Sequence, residues 1–379
     1  MAPSRNIGGN RHYHGGIAAS LCGLSKGMRM RVTVVRPGDL GPSEASLWAT
    51  FQQFSPTTPN PFLSLTFARV VGRSRPGARV AVVETGRQIE AFLPFELVGR
   101  RMGMPIGYPM NDLQGFVGRG TPIDARHVIR QAGLRGWRFV AAPAEQSALV
   151  PHHYAGTLAR VPVIDLAGGY QPYSGSRKKA STKRIAEKRR ALERRLGTLS
   201  LTWSSPCPQK HLQQLIDWKT AKYGGARQLF SDPAARAILD ELTAESGDDC
   251  RGLLSVLSAG ERTVALFFGL IAHGGLSSWF PAYDRELSRY SPGRMMWQPL
   301  AEEAACRGIT RLDLGYGQDQ YKFGLANASY LVAGGAVWAN RCEQAVRSVY
   351  RRLHGRAAGL SGGAESERGD MAQLAETAW

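Results

Sequence analysis

Three β-rich runs, Arg251–Ser258, Arg262–Ala272 and Gly275–Tyr283, are parted only by Ala259-Gly260-Glu261 and His273-Gly274. Turns this short join antiparallel neighbours, since a parallel return needs a crossover of a dozen or more residues. The chain then supplies such a crossover, with helical spacing from Pro292 to Cys306 followed by a short strand at Arg311–Leu314. A meander that continues through a helix into one more strand predicts a mixed, mainly antiparallel sheet flanked by helices, an α/β fold of the α+β kind.

The first half follows the same order. Arg31–Val35 reads as a strand, and Ser43–Phe54 as a helix with Ser43 at its N-cap. Phe62–Val71 reads as a second helix, and Arg79–Glu84 and Gln88–Val98 as a hairpin turning at Thr85-Gly86-Arg87. Ile123–Ala132 is helical in pattern, and Trp137–Ala142 and Leu158–Leu166 are strand-like. After Leu199–Trp203, helices are expected at His211–Tyr223 and Pro233–Glu245, and the last strand at Tyr330–Trp338. A chain of 379 residues exceeds one ordinary core. The expected organisation is an arm without pattern at 1–27, a first domain at 28–168, a basic connecting helix at 169–198, a second domain at 199–340, and a terminal helix with a floppy tail at 341–379. The similar order of the two halves hints at duplication.

Charge narrows the partners. Lys and Arg number 48 against 30 Asp and Glu, a net charge of +18. Residues 177–195 alone hold ten basic residues against Glu187 and Glu193, a net +8. Ile185, Leu192 and Leu196 give that helix one thin apolar seam, so it docks along one edge and leaves basic faces wet. The segment is either a solvated charged face or a surface for tRNA, an anionic polymer or a phosphate-rich ligand. Five scattered cysteines fit a reducing, cytoplasmic setting rather than a disulfide framework. No apolar run reaches the length of a membrane span. His152-His153 lacks acidic or Cys neighbours, so no metal site is expected. Nucleophile-elbow, Walker A and dinucleotide fingerprints are missing from the sequence.

Two stretches carry the candidate chemistry. In Ala282–Met296 a strand ends at Tyr283 and a helix opens with Ser291 at the N-cap and Pro292 at N1. Unsatisfied N–H groups there suit a pyrophosphate, with Gly293 allowing close approach and Arg294 adding a donor. The same Ser-Pro-Gly pattern also serves as a plain cap. Pro299 is expected to kink the helix. In Arg311–Phe323 a strand delivers Asp313, breaks at Gly315 and Gly317, and throws Asp319, Tyr321 and Lys322 into a loop. One helix joins the two stretches, setting a helix N-terminus and a strand end at one sheet edge. A glycine-rich turn with a solvated Lys is the plainer reading.

The run from Ser291 to Leu325 resembles the C-terminal signature of the GNAT-like acyltransferases of the CelD/BcsL cellulose-biosynthesis type, relatives of the FemAB aminoacyl transferases. Asp284, Ser291, Pro292, Gly293, Asp313, Gly315, Gly317, Tyr321 and Lys322 match its pattern, with the final aromatic displaced at Leu325. Asn60–Ser64, Phe92–Pro94 and Asn111–Leu113 resemble elements of its first half. The resemblance implies tandem GNAT-like domains and transfer from acetyl-CoA or another acyl-CoA to an amine or hydroxyl of a small-molecule or saccharide acceptor. For that chemistry Asp313 is the candidate base or substrate orienter, a strand-end carboxylate beside glycines being within reach of a bound amine, and Lys322 a holder of donor phosphate or oxyanion. Tyr283 and Tyr321 become candidate acids for the leaving thiolate. Ser291, Gly293, Arg294, Asp284, Gly315 and Gly317 become donor contacts, and Asp112 an acceptor contact. Aminoacyl transfer from charged tRNA, or a binding module without catalysis, are the other readings of the same residues.

Overall fold

The computed structural model describes residues 30–54, 59–121, 123–148, 155–177, 179–222, 224–317 and 320–340. The expectations for 1–27 and 341–379, and for Lys178, His152, His153 and Asp319, lie outside the described residues. In the first half the order is β1 (Met30–Val35), α1 (Pro42–Phe54), α2 (Leu65–Ser74), β2 (Ala78–Thr85), β3 (Gln88–Val98), β4 (Met102–Pro105), β5 (Val117–Gly118), α3 (Ala125–Gln131), β6 (Gly136–Pro143) and β7 (Ala155–Asp165). Then come α4 (Tyr170–Ser176) and the basic α5 (Lys179–Leu196). The second half runs β8 (Leu199–Thr202), α6 (Pro208–Lys222), α7 (Gly224–Ser231), α8 (Pro233–Ala244), β9 (Arg251–Ala259), β10 (Arg262–Ala272), β11 (Gly275–Tyr283), α9 (Pro292–Met295), α10 (Trp297–Cys306), β12 (Arg311–Asp313), α11 (Gln320–Leu325) and β13 (Ala328–Trp338).

All strands join one 13-stranded sheet in the order β1-β2-β3-β4-β6-β13-β7-β12-β11-β10-β9-β8, with β5 pairing β3 off this path. Read from either end, the order is the same pattern: an antiparallel run of four strands, a parallel step, then a last strand. The parallel steps are β4 to β6 and β11 to β12. The last strands are exchanged, so β13 pairs β6 of the first half while β7 pairs β12 of the second. They also pair with each other, Ala328↔Val163 through Gly335↔Ala155. The sheet is therefore continuous across residue 168, and the two halves repeat one strand pattern.

On one side of the sheet a single core runs under α1, α2, α6 and α8, from Trp48 and Phe67 to Leu212, Ile238 and Trp279. The opposite side holds two separate cores, one under α3 and one under α5 and α10. Leu192 is buried there, with Ile185 and Leu196 packed beside it, which is the seam that the spacing of α5 predicts. Arg75 ties the halves further, bonding Asp232 at 2.8 Å and Glu96 at 3.3 Å.

Several local expectations differ from the structure. Ser43 lies inside the first turn of α1, which opens at Pro42. The helix expected at Phe62–Val71 divides into a short 3-10 turn at Pro61–Leu63 and α2, because the Ser64 hydroxyl accepts from Phe67 N at 2.9 Å and starts a new helix. Helices α7 and α11 lie where no helix is expected, and the connecting helix expected at 169–198 is divided into α4 and α5. The proline effect falls earlier than Pro299: the helix divides at Met296, since Pro299 has no N–H and its ring crowds the carbonyl four residues back, at Met295.

Trp279 links the two halves. It is 2% exposed, its indole N–H donates to Met110 O at 2.7 Å, and its ring lies against Phe62, Phe268 and Phe280. Trp279→Ala removes packing from both halves at once and is expected to cost about 3–5 kcal/mol in urea unfolding, with one cooperative transition retained.

Candidate active site

Strands β11 and β12 run parallel over Gly275↔Arg311, Leu276↔Leu312 and Ser277↔Asp313, and then part. Leu314 N donates to Pro162 O at 3.0 Å, keeping the chain on β7, and Gly315 (φ 80°) and Gly317 (φ 147°) turn it away. L side chains rarely adopt such angles, which accounts for two glycines here. Meanwhile β11 runs on to Tyr283 paired with β10. Among the described residues, its outer edge over Trp279–Tyr283 has no strand partner. The register with β10 skips Trp279, passing from Gly269↔Ser278 to Phe268↔Phe280, so a β-bulge sits where the strands diverge.

The matching fork in the first half is closed. Beyond Gly103↔Trp137, Gln114 N donates to Ala141 O at 2.9 Å, and the Gln114 side-chain oxygen accepts from the N–H groups of Val140 and Ala141, both at 2.8 Å. The position two after Gly136 is Arg138, where the second half has Asp313 two after Arg311. Only the second fork is both open and acidic.

Asp313 is 5% exposed. One carboxylate oxygen accepts from Gly315 N at 2.9 Å, the other from the Tyr330 hydroxyl at 2.6 Å, and Arg311 Nη2 stands 3.7 Å away. The Tyr330 ring keeps some solvent contact while its hydroxyl is enclosed. Burial first, and then the neighbouring Asp313 charge, hold that hydroxyl well above the ordinary tyrosine range. Tyr330 thus stays a donor to Asp313. Asp112 reaches the same place from the first half: a Cβ on Gly315 would lie 3.0 Å from its carboxylate. Both carboxylates therefore meet at Gly315, which has neither room nor dihedral angle for a side chain. The loop bearing Asp112 is held by Asn111, which bonds Ile106 O and Leu113 N at 2.9 Å each.

The other candidates lie elsewhere. Six residues separate Ser277 from Tyr283 along β11, about 20 Å at ~3.3 Å per residue, so Tyr283 is remote from Asp313. A Cβ on Gly293 would sit 3.0 Å from the Tyr283 ring, so that glycine lets the ring lie against the helix start. Ser291 is not the expected side-chain cap. It is left-handed (φ 62°, ψ 51°), and its hydroxyl accepts from Lys188 Nζ at 2.7 Å, while Arg294 beside it is exposed. Helix α5 also bonds Tyr290 through Arg195, which with Arg289 lowers the Tyr290 hydroxyl below its ordinary value. Asp284 faces neither group: its carboxylate caps the turn at Glu286 N (3.0 Å) and pairs with Arg262. Lys322 lies in α11 rather than in a solvated loop, 5% exposed, with its ammonium 3.4 Å from a Cβ position on Gly317. Tyr321 packs on the core under α10. The candidates thus form an acidic group at the fork and a basic group at the far end of β11. Tyr330 and Arg311 went unread in the sequence, because only the exchange of β13 carries Tyr330 across β7 to Asp313. Among the described residues no three His, Cys, Asp or Glu side chains gather for a metal ion, and no helix is long and apolar enough to cross a membrane.

Residues 179–323 match the family model described as an acetyltransferase (GNAT) domain. Among solved structures, FemX is similar over 82% of this chain and 98% of its own, at 10% identity and a TM-score of 0.52. The C-terminal domain of a putative lysylphosphatidylglycerol synthetase from Agrobacterium fabrum is similar over 83% and 98%, at 13% identity and a TM-score of 0.48. A tandem GNAT protein from the clavulanic acid biosynthesis pathway is similar over 82% and 99%, at 10% identity and a TM-score of 0.46. No curated protein sequence matches the chain. The fold is of the GNAT acyltransferase type.

Tyr330→Phe tests the bond at the fork. An unfolded tyrosine ionises near its ordinary value of 10.0 whereas the folded hydroxyl ionises well above it, so this group's contribution to stability is complete below that value and falls as pH rises past it. The variant is expected to lose about 1–2 kcal/mol near neutral pH and to show a shallower alkaline decline, read from urea midpoints between about pH 8 and about pH 11.

Proposed function

We propose that the chain moves an acyl group from acyl-CoA, acetyl-CoA in the simplest case, to an amine or hydroxyl of a small-molecule or saccharide acceptor by direct attack in a ternary complex. The observation that carries this reading is the open fork of β11 and β12 with Asp313 and Asp112 at its apex. An acyl-CoA is long, anionic at one end and reactive at the other. The stretch Trp279–Tyr283 of β11 runs between a basic end, with Gly293, Arg294 and Lys188, and an acidic end, and the donor would lie along it. The match of 179–323 to an acetyltransferase domain supports the same reading, and the motif run from Ser291 favours the CelD/BcsL grouping.

In this account the acceptor nucleophile gives its proton to Asp313, which Tyr330 and Gly315 N–H hold in place, as it attacks the thioester carbon. The new bond to the acyl carbon forms first and pushes the carbonyl pair onto oxygen, and the tetrahedral oxyanion then collapses as the C–S bond breaks. The backbone at the Trp279 bulge and Lys322 stabilise the oxyanion, and the proton taken up by Asp313 passes to the departing thiolate. Tyr283, at the far end of β11, is better suited to packing under the donor than to acid catalysis. Asp313→Asn is expected to lower kcat by about a hundredfold or more while leaving donor affinity within about threefold.

One observation favours a second reading, aminoacyl transfer from charged tRNA: α5 brings Lys188 and Arg195 against the basic end. Titration of acetyl-CoA and CoA at moderate salt separates the two. On the first reading one equivalent binds at about micromolar Kd, and Arg294→Ala and Lys322→Ala each weaken it about tenfold. No binding of either, with RNA binding that falls steeply with salt, would replace the acyl-CoA reading by the second.

A further inference from the structure

The two central strands, β7 and β13, are fully covered on one face only. On the side of α1, α2, α6 and α8 the core passes beneath them without a break, through Val161 and Val332. On the other side the core under α3 takes in Phe139, Ala142 and Val337, the core under α5 and α10 takes in Ile164 and Leu312, and the two stay separate. Between them lie Leu158 and Arg160 of β7 and Leu331 and Ala333 of β13. Leu331 pairs with Arg160 and Ala333 with Leu158, so the four share one face. Leu158 is 64% exposed and Leu331 45%. Aliphatic side chains this open at the centre of a 13-stranded sheet call for a covering layer, because each apolar face of a sheet is buried against another element.

The sequence that follows β13 has the pattern such a gap needs. Strand β13 ends beside α3, where Arg126 donates to Trp338 O at 3.2 Å and Ala339 N donates to Arg135 O at 3.0 Å. From Trp338 back to Leu331 is about 23 Å at the rise of a strand. After Asn340, the residues Cys342, Ala345, Val346, Val349, Tyr350 and Leu353 recur at the three- and four-residue spacing of one helical stripe. Arg341, Arg347, Arg351 and Arg352 fall on the opposite side of the same helical projection. Twelve helical residues span about 18 Å, so a helix that turned back on leaving β13 would run the length of the gap. We propose that residues 342–353 form this helix and lie across β7 and β13 between the two cores, with Val349, Tyr350 and Leu353 over Leu158 and Leu331. Tethering favours this segment over a free partner, since a short linker gives an effective concentration on the order of millimolar. Docked so, it turns its arginines outward on the side of the sheet that α5 also occupies. The inference is independent of the acyl-transfer reading.

The test is amide hydrogen exchange on the full chain, followed at residues 345–353. In the wild type these amides are expected to exchange about tenfold or more slowly than in a free peptide of the same sequence, at every protein concentration. Val346→Asp with Val349→Asp abolishes that protection from the side of the helix. Leu158→Asp, made on the sheet and outside the segment itself, lowers it about tenfold, whereas Arg347→Gln on the outward side leaves it within about twofold. Unfolding in urea reports whether each variant is folded. Free exchange of 345–353 in the wild type overturns the proposal, as does protection that folded Leu158→Asp leaves unchanged, which would place the helix elsewhere. Protection lost on dilution, as a dimer gives way to a monomer, would assign the stripe to a second copy and overturn it. Protection that arises only with vesicles of phosphatidylcholine and phosphatidylglycerol would assign the stripe to a lipid surface, with the same result.

Discussion

The exchange of the last strands is the constraint on which the rest of this structure depends. Without β7, strand β12 would have a partner on one side only and just three residues of pairing. Without β13, strand β6 would lose its longer ladder. Neither half can therefore complete its sheet from its own chain. The exchange also explains the chemistry: β7 holds β12 in line up to Asp313 and draws Leu314 away with it, which opens the fork. Strand β13 then carries Tyr330 to the carboxylate that the fork exposes.

Two forks of the same topology have diverged in what fills them. In the first, Gln114 supplies the backbone partners that a ligand would otherwise find, and Arg138 stands where an acid would be needed. The first half has instead turned toward the second. Its loop at 106–116 is fastened to β11 through Trp279 and Met110, and from it Asp112 meets the Asp313 turn. The acidic end of the candidate site is thus made by both halves, while the basic end belongs to α5 and the start of α9.

What was legible in the sequence was mostly local. Runs such as Arg251–Tyr283 announce their strands because the alternation and the turn residues lie in adjacent positions, and the paired order of the halves follows from those runs. Asp313, Gly315 and Gly317 also stood out, through the resemblance of the run from Ser291 to Leu325 to a known signature rather than through their spacing alone. Tyr330 and Arg311 did not, because their meaning comes from pairings between strands distant in sequence. Ser291 misled for a related reason: its spacing before Pro292 is that of a cap, but Lys188 from another helix takes its hydroxyl. Lys322 reads as a solvated side chain until α11 folds it inward against Gly317.

The central claim is that the second fork, and not the first, receives the donor along the open edge of β11. Amide hydrogen exchange with and without saturating acetyl-CoA tests it most directly, because each fork reports on its own backbone. The account predicts slowed exchange at Trp279–Tyr283 and around Gly293, with Gln114 and Val140–Ala141 unchanged. Protection confined to Gln114 and Val140–Ala141, or none in either fork from a folded protein, would contradict it.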